Sequence, residues 1–325
     1  MSGVEYAFTS LHIPEESGID YHTEVQKILA LCKEGNLKLI VDVGPETLEK
    51  LGVAKIDELE SLGITYIRLD YGFTAEETVR LSRKFHVVFN ASTISDENLL
   101  EWKRAGADFS QFAACHNFYP KQFTALSIER VREINQRLKY HGFTTMAFVP
   151  GNQELRGPLA EGLPTVEEHR KNKKDVIINM LELFTEAYSD IVLVGDVNVT
   201  DDVWHGIKCL NENYVELHAS MDQKYDFVKD TIHHDRPDSS DYVIRSQESR
   251  NYKQQILPEL TAGSRERGKG SISLSNEWYL RYMGELEIAR TDLPMEERIN
   301  IIGYVDKKDW KYLPHIKNGM GVKFI

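Results

Sequence analysis

The sequence has few cysteines, no long apolar run and no basic excess, and each shortage removes a class of function. Its three cysteines, Cys32, Cys115 and Cys209, are too few and too scattered for a disulfide framework or a cysteine-rich zinc site. Their scarcity suits a reducing cytoplasm. No uncharged apolar stretch reaches the roughly 18 residues that a membrane helix needs, so no membrane partner is expected. The first residues, Met1-Ser2-Gly3-Val4-Glu5-Tyr6, lack the basic and apolar regions of a secretion signal. The net charge of −12 argues against a nucleic-acid partner, because that binding needs Lys and Arg to displace counterions. It still allows a local basic pocket for one anionic group. No G-x-G-x-x-G turn follows an apolar strand, which weighs against a dinucleotide site. No lysine ends a strand, which disfavours Schiff-base chemistry. No metal-ligand spacing stands out, and no cofactor is expected.

What is present is ordinary globular composition, with 41% hydrophobic and 28% charged residues in a chain of 325. At about 150 residues per domain, that length suggests two domains. The first two-thirds repeat one pattern of helix, short apolar strand and polar loop. Strands are expected at Tyr6–Leu11, Lys38–Val43, Tyr66–Tyr71, Val87–Ala91, Phe109–Ala114, Thr144–Val149 and Asp190–Val194. Their near-continuous apolar runs suit parallel strands covered on both faces. Amphipathic helices are expected at Thr23–Glu34 and Ser127–Tyr140. Alternation of this kind implies right-handed βαβ units.

Seven strands fall short of the eight of a closed (β/α) barrel. Either a first strand and helix are missing ahead of Tyr6, or Tyr214–Ala219 is the eighth strand. An open doubly wound sheet is the alternative. After about residue 225 the pattern changes. Lys224–Asp238 is polar and reads as a linker or capping helix, with the His233-His234 pair facing solvent. Short strands follow at Tyr242–Arg245, Ser271–Leu274, Met283–Ala289 and Ile299–Val305, as in a small antiparallel barrel or sandwich. The division is therefore a barrel over 1–225 and a β domain over 226–325.

Barrel enzymes keep their chemistry at the C-terminal ends of the strands. Those ends here carry Asp42, Asp70, Asn90, the run Cys115-His116-Asn117-Phe118-Tyr119-Pro120, and Asp196. Asp42 and Asp70 stand at equivalent places in neighbouring units. Two close carboxylates push their pKa values apart and supply one acid and one base, as glycoside hydrolysis requires. Each could equally cap a helix. His116 and Asn117 could hold a phosphate or sugar hydroxyls, or the His could be satisfied by loop carbonyls. Cys115 points to the opposite face from His116 and reads as a buried, inert thiol. Arg156, on a long loop, could grip a phosphate with forked hydrogen bonds or be a solvated surface residue. Thr165 reads as the N-cap of a helix that begins with Glu167, Glu168 and His169.

Several segments carry a family resemblance. They are Phe8-Thr9-Ser10-Leu11-His12-Ile13-Pro14-Glu15, Asp70-Tyr71-Gly72, Phe89-Asn90-Ala91-Ser92-Thr93, Cys115-His116-Asn117-Phe118-Tyr119-Pro120, Gly162-Leu163-Pro164-Thr165-Val166-Glu167-Glu168-His169-Arg170 and Tyr282-Met283-Gly284-Glu285-Leu286. With them the chain resembles the bacterial 6-phospho-N-acetylmuramidases along its whole length. The resemblance implies a TIM barrel followed by a cyclophilin-like β-barrel domain. It implies a cytoplasmic hydrolase of peptidoglycan recycling, whose partner is a phosphorylated muramyl disaccharide, N-acetylmuramic acid 6-phosphate–N-acetylglucosamine. Such proteins usually open with a strand and helix that are absent here, in agreement with the seven-strand count. The carried-over site comprises Asp42 and Asp70 as acid and base, with Asn90, His116, Asn117 and Tyr119 lining the pocket. Arg156, and Arg245 reaching over from the second domain, are expected to meet the 6-phosphate and the lactyl carboxylate. Another phosphosugar enzyme (an isomerase or lyase) and a non-catalytic sensor of cell-wall fragments stay open, as does homo-oligomer formation.

Overall fold

The computed structural model of the protein describes residues 3–9, 21–43, 48, 53–69, 72–254 and 266–325. The chain divides into two compact units at Thr200–Asp201. The first holds a parallel sheet of β1 (Tyr6–Thr9), β2 (Lys38–Val43), β3 (Tyr66–Leu69), β4 (His86–Asn90), β5 (Phe112–Cys115), β6 (Thr144–Val149) and β7 (Ile191–Val194), in that order. Each strand pairs with the next in sequence, and Cα atoms of β1 and β7 come within 8 Å of each other. The sheet thus curls into a nearly closed seven-stranded barrel of TIM type. A doubly wound sheet, whose strand order reverses, is excluded. All seven expected strands are present. The fifth starts later than expected, because Phe109–Gln111 forms a single 3₁₀ turn capped by the Asp108 side chain on Ser110 N.

Described helices of this unit include α1 (Tyr21–Glu34), α2 (Ala75–Ser82), α3 (Asp96–Arg104), α4 (Ile128–Tyr140), α5 (Glu167–Lys171) and α6 (Val176–Thr185). Their starts follow local chemistry. Thr74 with Glu77, and Ser95 with Asn98, form capping boxes, while Ser127 accepts from Arg130 N. Side-chain parity sorts the barrel into two layers. Phe8, Ile40, Tyr66, Val88, Cys115, Met146, Phe148 and Leu193 come from all seven strands and pack on one another, so they fill the interior. Leu39, Val41, Ile67, Val87, Phe89, Phe112 and Ala114 point the other way and meet helix residues such as Val25, Leu99, Trp102 and Leu138. Phe8, Phe118 and Phe148 meet edge to face with centroids 5.3 to 6.4 Å apart inside the barrel. Each such pair adds about 1 kcal/mol beyond its buried area.

The second unit begins earlier than the boundary near residue 225 expected from composition. It opens with α7 (Asp201–Asn211) and β8 (Tyr214–Leu217). β8 is not an eighth barrel stave: it pairs in parallel with β15 (Gly321–Phe324), which also pairs with β10 (His233–His234). A five-stranded antiparallel sheet follows the order β11 (Val243–Arg245), β13 (Leu286–Ala289), β12 (Ser271–Ser275), β14 (Ile299–Val305) and β9 (Ala219–Met221). The expected solvent-facing histidine pair is in fact held. His233 is fully buried between Ser246 Oγ and the Val228 carbonyl, and His234 pairs with Glu248. The polar stretch before them is a 3₁₀ helix at Gln223–Asp230. No helix among the described residues is long and apolar enough to cross a membrane.

Candidate active site at the barrel mouth

Asp42 follows the inward residue Ile40 by two positions, and Arg68 follows inward Tyr66 by two. Period-two alternation therefore aims both into the barrel at the C-terminal ends of β2 and β3. The two are direct Cα partners in the parallel register. Arg68 Nη1 donates to Asp42 Oδ1 at 2.9 Å, and Arg68 Nη2 donates to Asn117 Oδ1 at 2.6 Å. Asn117 follows inward Cys115 by two, so it closes the chain from the β5 side. The side chains of Arg68 and Asp42 are only 12% and 11% exposed. An ion pair at that depth is shielded from salt far better than a surface pair.

Of the expected site residues, Asp42 and Asn117 are brought together. Asp70 lies outside the described residues. Asn90 has inward parity with Val88; its Oδ1 accepts from Ser92 N and holds the turn after β4. With Leu69, Thr93 and Trp102 it also lines a cavity of about 300 Å³. His116 does not join Asn117. Next to inward Cys115, it takes the opposite parity, and its Nε2 meets Asn135 Oδ1 of α4 at 2.9 Å. The Asn135 amide in turn donates to Ala187 O and Ser189 Oγ. Asn135 Oδ1 only accepts, so Nε2 carries the proton. Burial holds the His116 pKa down to about 4, partly offset by the Asn135 bond, and the ring is neutral. Burial also pushes the Cys115 thiol up to about 12, which keeps it protonated and unreactive.

Tyr119 is half-buried, and its backbone is tied on both sides: its N–H donates to Pro164 O, and its carbonyl accepts from Arg170 Nη2. Arg156 donates its backbone N–H to Asp196 Oδ1 at 2.9 Å. Asp196 Oδ2 accepts two more, from Gly151 and Leu163. One buried carboxylate after β7 thus gathers the long 151–163 loop over that side of the mouth. The backbone approach is close enough to demand glycine: a Cβ on Gly195 would sit 2.4 Å from Leu163 O. Arg245 lies on β11 in the second unit and pairs with Glu285 at 2.7 Å.

The Gly162–Arg170 run is structural in a way the sequence reading missed. Thr165 is not a helix cap. Its buried hydroxyl accepts from Phe148 N and donates to Asn117 O, riveting the loop to β6 and to the mouth. Arg170, 7% exposed, donates to the carbonyls of Gly162, Tyr119 and Lys121 and forks onto Glu167. Arg68 was also missed. The available signal was a charged residue inside an apolar strand, with the parity of an inward-facing tyrosine.

A carboxylate, a guanidinium and an amide at one barrel mouth can orient polar groups of a sugar and hold a proton acceptor in place. The sequence matches the family described as 6-phospho-N-acetylmuramidase, N-terminal, over residues 1–209, and its C-terminal counterpart over residues 214–325. A conserved Enterococcus faecalis protein of unknown function has a similar crystal structure. It shares 31% identity and a TM-score of 0.70, over 99% of this chain and 88% of that one. An uncharacterised B. cereus protein shares the fold at 23% identity and a TM-score of 0.71, over 99% of this chain and 91% of that one. No curated protein matches. With both parts matched in order along nearly its whole length, the chain belongs to the 6-phospho-N-acetylmuramidase family.

Proposed function

We propose that the protein hydrolyses the bond between N-acetylmuramic acid 6-phosphate and N-acetylglucosamine in cell-wall fragments recycled in the cytoplasm. The observation that carries this reading is the Asp42–Arg68–Asn117 chain at the mouth of a barrel of this family. Asp42 already accepts a hydrogen bond from a guanidinium. It therefore takes the acceptor's part, as base or as the group that orients the substrate's 2-acetamido N–H. Asp70, two positions beyond Arg68 in sequence, is assigned protonation of the leaving oxygen. Asn90, Asn117 and Tyr119 are read as hydroxyl contacts and Arg156 as the phosphate ligand. His116 supports the mouth from behind through Asn135. The sheets of the second unit are read as the cyclophilin-like domain.

The test is incubation of the purified chain with the phosphorylated disaccharide. Release of N-acetylglucosamine, lost in Asp42→Asn and in Asp70→Asn with the fold retained, is the expected result. Turnover at the wild-type rate in both variants would remove the acid/base assignment. Conversion of a phosphorylated monosaccharide with no second sugar would point to an isomerase or lyase. Binding with no product at high protein concentration would point to a sensor.

A further inference from the structure

We propose that the second unit carries a site for a zinc-type divalent cation, built from His205, Cys209 and Glu216. His205 and Cys209 are four positions apart on α7 and share one face of the helix. Glu216 comes from β8, the strand that directly follows. The nitrogen, sulfur and oxygen donors all lie within 4.8 Å of one another. His205 Nε2 is 2.8 Å from Glu216 Oε2 and 3.6 Å from Cys209 Sγ.

The arrangement differs from a nucleophilic relay. A Cys–His–carboxylate relay uses both ring nitrogens, one toward the thiol and the other held by the carboxylate. Here sulfur and carboxylate converge on the same nitrogen. The Cys209 thiol also meets the Tyr214 hydroxyl, and one cation among His205, Cys209 and Glu216 would engage all three donors at once.

The dimensions come close to those of a zinc site. Tetrahedral bonds of about 2.1 Å to nitrogen and oxygen and about 2.3 Å to sulfur imply an N···S span of about 3.6 Å and an N···O span of about 3.4 Å. The N···S distance already has that value. The N···O pair must open by about 0.6 Å, and the S···O pair, which lies within 4.8 Å, must come to about 3.6 Å, shifts that torsions of the His205 and Glu216 side chains supply. The His205 side chain is 58% exposed while Cys209 is 3% exposed, so the thiolate would be sheltered and the fourth position would face water. The mixed N, S and O donors favour zinc and its late first-row neighbours over magnesium or calcium. On binding, Nε2 becomes the ligand atom with the ring proton on Nδ1, and the cysteine gives one proton to solvent. No metal-ligand spacing shows in the sequence because the third donor sits on the next strand.

The experiment uses the full chain, stripped with a chelator and titrated with Zn²⁺ alone, then with Co²⁺ alone. One equivalent of zinc, a raised melting temperature and a thiolate-to-cobalt charge-transfer band are expected. Cys209→Ser should lose the band, and His205→Ala, at an exposed position that spares the fold, should weaken zinc binding at least tenfold. Zinc binding and a cobalt band that are unchanged in both variants would overturn the proposal. So would a wild-type chain that keeps no zinc after buffer exchange.

Discussion

Arg68 and Asp42 face each other as register partners on adjacent parallel strands, joined at 2.9 Å with both side chains mostly buried. Arg68→Ala removes a charge-assisted hydrogen bond from each of Asp42 and Asn117. A loss of about 2 kcal/mol in denaturant-derived stability is expected. If the proposed function holds, N-acetylglucosamine release should fall at least a hundredfold, since Asp42 loses its orientation. Unchanged kinetics with lowered stability would confine the pair to a structural role.

His116 makes stability depend on pH in a definite direction. Its folded pKa of about 4 lies below the ordinary 6.5, because burial disfavours the charged ring. Above pH 6.5 neither folded nor unfolded chain protonates this ring, so its contribution is fully present. As pH falls from 6.5 toward 4, the unfolded state takes up a proton that the folded state refuses, and stability is lost. The loss from this one group is roughly 3 kcal/mol. Urea titrations across that range should show a shallower fall in His116→Gln than in the wild type. Parallel profiles would refute the assignment.

Thr165 gives a sharp discrimination between a helix cap and a rivet. Thr165→Val leaves the Phe148 N–H and the Asn117 carbonyl without this partner in a fully buried place, at a cost of about 2 kcal/mol. Thr165→Ser keeps the hydroxyl and should recover most of that loss. Equal destabilisation by both substitutions would mean that the methyl group matters more than the hydrogen bonds.

Asp196 accepts from three backbone N–H groups, at Gly151, Arg156 and Leu163. In Asp196→Asn one oxygen becomes a donor, so at least one of those N–H groups meets another N–H. Amide exchange at these three positions should accelerate by tenfold or more, while the strands keep their protection. Exchange unchanged at all three would show that the loop is held by other contacts.

The seven staves were legible in the sequence because a strand buried on both faces has to be apolar throughout, and each pairs with its neighbour in the chain. The strand ends were legible for the same reason: polarity resumes where the barrel opens. Arg68 was not legible because it lies within a strand, where a lone charge among apolar residues does not reveal which face it takes. His233 escaped because its partners, Ser246 and the Val228 carbonyl, cannot be inferred from a locally polar stretch. The division at Thr200–Asp201 falls ahead of the boundary expected near 225, because in sequence Tyr214–Leu217, an apolar run after a helix, looks like a barrel stave. Only its pairing with Gly321–Phe324 tells them apart, and that pairing is non-local.

That same pairing orders events during synthesis. Every barrel stave meets a partner that emerged just before it, so the first unit can assemble while translation continues. β8 finds its strand partner, among the described residues, in Gly321–Phe324, and stays an unmatched edge until that segment has left the ribosome. Ribosomes stalled shortly before that point should carry a finished barrel and an unfinished companion.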